Sequence, residues 1–103
     1  MIDVNEANFS EKVLESDNLV MVEFWSSWCP PCKIMEPTLK KLKEEHPGIT
    51  IGKINTDRNR SLTKKYEILG VPTFLFFKEG NMLHREVSAK SKNQLKKIIE
   101  ELR

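Results

Sequence analysis

The residues best suited to chemistry lie in segment 28–33, which reads WCPPCK and holds both cysteines of the 103-residue chain. Two thiols at this spacing serve as a structural disulfide, as half of a zinc site, or as a redox centre. A disulfide across so short a loop restricts the unfolded chain little, which argues against a purely structural bond. Zinc needs two further ligands, yet there is no second cysteine pair, and His46 and His84 stand apart. The pattern therefore favours redox chemistry.

The elements around the cysteines predict which thiol is reactive. Residues 19–25 form an apolar run interrupted only by Glu23, which is typical of a strand buried on both faces. A helical pattern follows over residues 33–45, so Cys29 is expected at or near a helix amino terminus. Free backbone N–H groups and the helix dipole favour an anion there. This position therefore stabilises the thiolate of Cys29, the species that attacks disulfides.

Cys32 follows about one helical turn later, within reach of Cys29. It is expected to lie deeper and to be more shielded than Cys29. The asymmetry predicts a mechanism in which Cys29 attacks a partner disulfide. Cys32 then resolves the mixed disulfide and leaves the Cys29–Cys32 bond behind.

Hydrophobic patterns place the other elements. The strand candidates share an apolar run or alternation, and they are residues 2–4, 19–25, 49–54, 73–78 and 82–87. The helix candidates share an apolar stripe, and they begin at Asn5 or Asn8, Lys33, Asp57 and Ser91. The stripe of the second helix comprises Ile34, Met35, Thr38, Leu39 and Leu42. The order β-α-β-α-β-α-β-β-α predicts an α/β fold, with a mixed sheet that is parallel in its centre, helices on both faces and an antiparallel edge hairpin.

Composition narrows the class of protein. A mass of 12.0 kDa predicts a single domain over residues 1–103. The 17 basic and 15 acidic residues give a net charge of +2 and form no block, so nucleic acid is not an expected partner. The longest apolar runs are too short to span a bilayer, and residues 1–9 lack the features of a signal peptide. A cytoplasmic protein without membrane contact, metal or cofactor is expected.

The chain resembles the thioredoxin family over essentially its whole length. VEFWSSWCPPCK resembles the strand and active-site segment of that family, and Pro37, expected to kink the helix, matches its kink proline. GKINTD resembles the next strand, and YEILGVPTFLFFKEG matches the segment that ends in the hairpin. The resemblance implies a central five-stranded mixed sheet flanked by four helices. It also implies a monomer that reduces protein disulfides and is itself restored by a reductase, usually a flavoprotein that uses NADPH.

The resemblance assigns a substrate-binding surface around the cysteines. Pro72 matches the family's cis-proline, and Val71 and Thr73 beside it are expected to contact the substrate backbone. Trp28 resembles the active-site tryptophan of the family, a partly exposed apolar residue that covers the surface beside Cys29. Trp25 is interpreted instead as a core aromatic residue. Pro30 and Pro31 complete the surface.

Glu23 and Lys53 are the candidate residues for proton transfer. A carboxylate inside an apolar strand is costly, and thioredoxins carry an Asp there that assists the resolving thiol. Glu23 could do the same work with a raised pKa, and Lys53 matches the family's lysine near that acid. The alternative is a structural charge pair between Glu23 and Lys53.

Two departures from the family pattern bear on function. Pro30-Pro31 stand where Gly-Pro is usual, which stiffens the loop between the cysteines. The WCPPC sequence also resembles thioredoxin-like proteins that reduce apocytochrome thiols, and the same fold serves disulfide oxidants and isomerases. Ser88 stands where a glycine normally contacts partners.

An alternative from another functional class is that the chain is a non-enzymatic binding subunit of a larger assembly.

Overall fold

The strands and helices follow the predicted order in a computed structural model that describes residues 1–103. The elements are β1 (Ile2–Asp3), a π-helical segment (Ser10–Leu14), β2 (Val20–Trp25), α1 (Pro30–Glu45), β3 (Thr50–Asn55), α2 (Arg60–Lys65), β4 (Thr73–Lys78), β5 (Asn81–Val87) and α3 (Lys92–Leu102). The predicted α/β class, with five strands in one mixed sheet and four helical segments, is confirmed.

The sheet has the strand order β1-β3-β2-β4-β5, with β2 in its centre. β1, β3 and β2 pair in parallel, whereas β4 is antiparallel to both β2 and β5. The prediction of a parallel centre is therefore wrong, because the parallel strands occupy one half of the sheet. The six residues of α2 span only about 9 Å, less than half the length of a six-residue strand. The connection through residues 56–72 leaves and rejoins the sheet at the same end, so β4 starts at the end where β2 finishes.

Apolar side chains pack on both faces of the sheet, as predicted. Side chains of α1 and α3 cover one face, in a cluster made of Leu19, Met21, Met35, Leu39, Leu42, Ile49, Ile51, Phe74, Phe76, Leu95 and Ile99. The π-helical segment and α2 cover the other, in a cluster made of Val4, Phe9, Val13, Val20, Val22, Phe24, Ile54, Leu62, Leu75 and Phe77. Alternate residues of β2 point into opposite clusters, which is why its apolar run is continuous.

The helix boundaries differ from the predictions at the amino termini. α1 begins at Pro30, three residues before the predicted start, because both prolines fit the first helical positions, where no N–H donor is needed. α2 begins at Arg60 rather than Asp57, whose N–H donates to the Asn55 side chain in a turn. The predicted Ser91 cap of α3 is confirmed, and Gln94 completes a capping box with it.

The apolar stripe of α1 is also corrected. Ile34, predicted to face the core, is 69% exposed, whereas Cys32 is buried. Residues 32, 35, 39 and 42 form the buried stripe, at helical spacing. The helix therefore turns its cysteine toward the sheet and leaves Ile34 on the surface.

Candidate active site

The two cysteines lie where β2 ends and α1 begins. Cys29 is the N-cap residue of α1, as predicted, and the Cys32 N–H donates to Cys29 Sγ over 3.2 Å. Their Cα atoms are 5.3 Å apart, and the side chains form a disulfide. The helix thus directs a backbone donor at the sulfur of Cys29, an arrangement that favours its thiolate once the bond is reduced.

Both cysteines are buried to a similar extent in the disulfide form. Cys29 is 2% exposed and Cys32 is 5% exposed. The expected greater shielding of Cys32 is therefore wrong for this form, in which the neighbouring 70–72 loop contacts Cys29.

The loop before β4 completes the surroundings of Cys29. The Val71–Pro72 peptide bond is cis, as the family resemblance implied. Val71 O lies 3.6 Å from Cys29 Sγ, and Val71 itself is half-buried outside the sheet. Thr73 is buried between Phe24 of β2 and Val87 of β5, and its Oγ1 donates to Gly70 O. Thr73 thus lies within the sheet and Val71 outside it, and the expected substrate contacts of both backbones stay predictions.

Apolar side chains are exposed around the cysteines. Trp28 is 69% exposed and both Pro30 and Pro31 are exposed, as expected for residues that contact a partner. Trp25, interpreted from sequence as a core residue, is only half-buried. It ends β2, where the Lys53 ammonium lies 4.8 Å from its ring centre. Because Trp25 lies at the end of the strand, its ring contacts the Lys53 ammonium and is not enclosed by the core.

Glu23 lies in the middle of the sheet beneath the active-site end. It is 1% exposed and pairs in register with Lys53 of β3 and Phe74 of β4. Burial raises the pKa of Glu23 from 4.5 to about 7; Lys53 opposes this rise and Glu36 adds to it. A group with this pKa gains and loses its proton near neutral pH, which is what acid–base work at a thiol requires.

Lys53 forms its ion pair with Glu36, a residue that was not predicted from the sequence to belong to the site. Its Nζ lies 2.5 Å from Glu36 Oε1, and no ion pair joins it to Glu23. The alternative interpretation, a structural charge pair between Glu23 and Lys53, is therefore contradicted by the geometry. A signal was present in the sequence, because Glu36 follows Cys32 by four residues and so shares the helix face that turns toward the sheet.

The arrangement combines a capped sulfur, a second sulfur and a buried acid. These groups suit proton-coupled exchange between a dithiol and a disulfide. No group of three or more His, Cys, Asp or Glu side chains comes together in a way that could hold a metal ion. None of the helices has the length and apolar character needed to cross a membrane.

Comparison with known proteins agrees with this geometry. The thioredoxin family model matches residues 1–101. The chain is similar to a thioredoxin of Pseudomonas aeruginosa, 36% identical over 97% of this chain and 94% of the relative. A thioredoxin of Buchnera aphidicola subsp. Schizaphis graminum is 38% identical over 98% and 94%. The chloroplastic M-type thioredoxin of Spinacia oleracea is 41% identical over 95% of this chain and 55% of the relative. The likeness thus extends well beyond the cysteine segment.

Proposed function

Because the chain belongs to the thioredoxin family and is a thiol–disulfide oxidoreductase, we propose that it reduces protein disulfides by cycling Cys29 and Cys32 between dithiol and disulfide. The observation that carries the proposal is the Cys29–Cys32 disulfide at the amino terminus of α1, beside the 70–72 loop. Disulfide-containing proteins are the substrates of this family, and a reductase returns the disulfide to the dithiol.

The reaction consists of two exchange steps. The Cys29 thiolate attacks one sulfur of the substrate disulfide, forms a mixed disulfide and expels the other sulfur as a thiolate. Cys32 then loses its proton and attacks Cys29 Sγ, which breaks the mixed disulfide and releases the second substrate thiolate. Two electrons pass to the substrate, whose two sulfurs end as thiols, while the protein ends as the Cys29–Cys32 disulfide.

Glu23 is the proposed proton acceptor for Cys32. Its pKa of about 7 lets it be ionised often enough to take the thiol proton and protonated often enough to return it to a leaving thiolate. The proposed role of Lys53 is electrostatic, since its ammonium opposes the rise in the pKa of Glu23. Glu23 and Lys53 are register partners, so their side chains lie on one face of the sheet.

Substrate is proposed to bind as an extended segment across the 70–72 loop. The Val71 N–H has no backbone partner, and its carbonyl oxygen lies beside Cys29 Sγ, so both are available to a substrate backbone. Trp28, Pro30 and Pro31 supply exposed apolar surface next to it. Pro72 holds the loop at this position.

The remaining proposals concern the setting of the reaction. The chain works as a single domain and as a monomer in the cytoplasm, without nucleic-acid or membrane partners. Its reductase is a flavoprotein that uses NADPH. These assignments are supported by the thioredoxin resemblance and by the balanced charge of +2.

Replacement of the resolving cysteine tests the proposal. Cys32→Ser keeps the nucleophile but removes the second step, so the mixed disulfide with a substrate such as insulin is expected to accumulate. Turnover, followed as insulin reduction with dithiothreitol as electron donor, is expected to fall to the uncatalysed rate. Mass spectrometry under non-reducing conditions detects the trapped species.

Cys29→Ser is the matched control, because it removes the nucleophile and should neither turn over nor trap insulin. Full activity of Cys32→Ser in the cellular role of the protein, without trapped disulfides, would contradict the proposal. That result would indicate a binding subunit in which the thiols are dispensable.

A further inference from the structure

Lys53 is held by two side chains other than Glu23. Its ammonium lies 2.5 Å from Glu36 Oε1 and 4.8 Å from the centre of the Trp25 ring. The Lys53 side chain is only 16% exposed, whereas that of Glu36 is 40% exposed. Glu36 Oε2 is itself buried without a hydrogen-bond partner, so the carboxylate of the ion pair is shielded although the side chain as a whole is partly exposed.

Glu23 is placed to compete for the same ammonium. Glu23 and Lys53 are register partners in the parallel pair of β2 and β3, so their side chains lie on the same face of the sheet. Glu23 Oε2 is nevertheless buried without a hydrogen-bond partner. One cation is therefore available to two carboxyl groups, and it pairs with the one on α1.

We propose that Glu36 is a positioning residue for proton transfer at Glu23, because it holds the Lys53 ammonium and so leaves the buried Glu23 carboxyl group without that cation as a partner. The inference rests on the proposed role of Glu23 as proton acceptor for Cys32. It adds Glu36, which follows Cys32 by four residues on α1, to the proposed proton-transfer groups Glu23 of β2 and Lys53 of β3.

Two charges act on the pKa of Glu23 in opposite directions. Lys53 of β3 lowers it and Glu36 of α1 raises it, while β4 contributes the uncharged Phe74. The other titratable group of α1 on this side is the Cys32 thiol of the reduced protein. Glu36 raises the pKa of Glu23 by like-charge repulsion, and it also keeps the opposing cation engaged. Loss of the Glu36 charge removes both effects at once.

The consequence for the reaction is a shift in the pH at which Glu23 can accept a proton. When Glu36 holds Lys53, Glu23 exchanges its proton with the Cys32 thiol near neutral pH. Were Lys53 to pair with Glu23 instead, Glu23 would be ionised at lower pH and would be a weaker base. Glu36 thus sets the strength of the base without touching the reacting sulfurs.

The substitution Glu36→Gln tests the inference while preserving the size of a partly exposed side chain. In protein carrying carbon-13 at its glutamate carboxyl groups, the NMR titration midpoint of Glu23 is expected to fall by about one pH unit. The signal is assigned by its loss in Glu23→Gln. The pH profile of mixed-disulfide resolution is expected to move in the same direction, and Glu36→Gln should have no such effect in the Glu23→Gln background.

Glu45→Gln is the matched control, because Glu45 also lies on α1 and pairs with a lysine, Lys92, but at the other end of the helix. It should leave the Glu23 midpoint unchanged. A Glu23 midpoint in Glu36→Gln equal to or above that of the wild type would overturn the inference, as would a shifted midpoint with an unshifted rate profile. Failure of the proposed role of Glu23 is a different result: the rate of mixed-disulfide resolution in Glu23→Gln would equal that of the wild type. The NMR titration of Glu23 can be measured in either case, because it requires no turnover.

Discussion

At the scale of single residues, Glu23 is a buried residue of the central strand and also the proposed proton acceptor. Its carboxyl group is 1% exposed inside an otherwise apolar strand, and burial raises its pKa to about 7. A surface glutamate is ionised throughout the physiological range and takes up protons poorly. Glu23 is instead matched to the pH at which the protein is proposed to work.

Glu23→Gln tests proton transfer directly, because it keeps the size of the side chain and removes its acid–base function. When the reduced wild type reacts with dithiobis(nitrobenzoate), the second, intramolecular release of thionitrobenzoate is expected to accelerate as pH rises through about 7. In Glu23→Gln this acceleration should disappear, and the step should be slower on the order of 10²-fold at alkaline pH. Stopped-flow absorbance measures both phases.

Glu44→Gln serves as the control, since Glu44 is exposed on α1 and the change of charge is the same. Its two phases should match those of the wild type. If Glu23→Gln resolved the mixed disulfide at wild-type rates across this pH range, Glu23 would have no role in proton transfer.

The sequence predicted the positions of the candidate residues better than their pairings. The CPPC spacing identified Cys29 and Cys32, and the interruption of an apolar run identified Glu23 as a buried acid. The partner of Lys53 was not predicted, because the strand register favours Glu23 while the orientation of α1 over the sheet decides for Glu36. Hydrophobic patterns specify helix faces, but they do not specify which of two nearby carboxylates takes a cation.

At the scale of elements, the connection between β3 and β4 determines where the 70–72 loop lies. Residues 56–72, which include the short α2, leave and rejoin the sheet at the end that carries the cysteines, so that Thr73 pairs with Phe24. Alternating strand and helix patterns predicted every element, yet they favoured a parallel centre because they do not specify at which end of the sheet the next strand begins. Residues 56–72 are enough for a connection of either kind, so the direction of β4 could not be predicted from its length.

Gly52 determines how closely β1 and β2 can pack around β3. A Cβ atom at Gly52 would lie 2.8 Å from Val4 Cγ2 and 3.2 Å from Val22 Cγ1, which is closer than van der Waals contact. Gly52→Ala is therefore expected to force β1 outward and to lower the free energy of unfolding by about 1 to 3 kcal/mol. Urea denaturation of the oxidised protein, followed by circular dichroism, measures the change.

Gly48→Ala is the control for Gly52→Ala, because a Cβ atom there meets nothing within 4 Å. Its free energy of unfolding should stay within about 1 kcal/mol of the wild type. If both variants were equally stable, the close approach of Val4 would not constrain the sheet.

At the scale of the whole molecule, the active site and one of the two apolar clusters share a face of the sheet. Glu23 lies on the same face as Met21, Ile51 and Phe74, under α1. Ionisation of Glu23 therefore places a charge at the edge of the cluster that joins α1 and α3 to the sheet. The global stability of the protein should report the protonation of its active site.

The sign of that effect follows from the two pKa values of Glu23, 4.5 for the exposed group and about 7 in the folded protein. Between these values the folded state binds one proton more than the unfolded state, so stability falls as pH rises through this window. The contribution amounts to about 3 kcal/mol, because each unit of pKa difference corresponds to about 1.4 kcal/mol. It is fully present below the lower value and lost above the upper one.

Urea denaturation of the oxidised protein at about pH 5 and about pH 8 measures this loss. The free energy of unfolding of the wild type and of Glu44→Gln is expected to fall between these two conditions, and most of the fall should be absent in Glu23→Gln. The difference between the two pH values is the informative quantity, because a buried glutamine amide has a cost of its own at every pH. An equal fall in all three proteins would mean that Glu23 does not hold its proton more tightly in the folded state, and acid–base work at neutral pH would lose its physical basis.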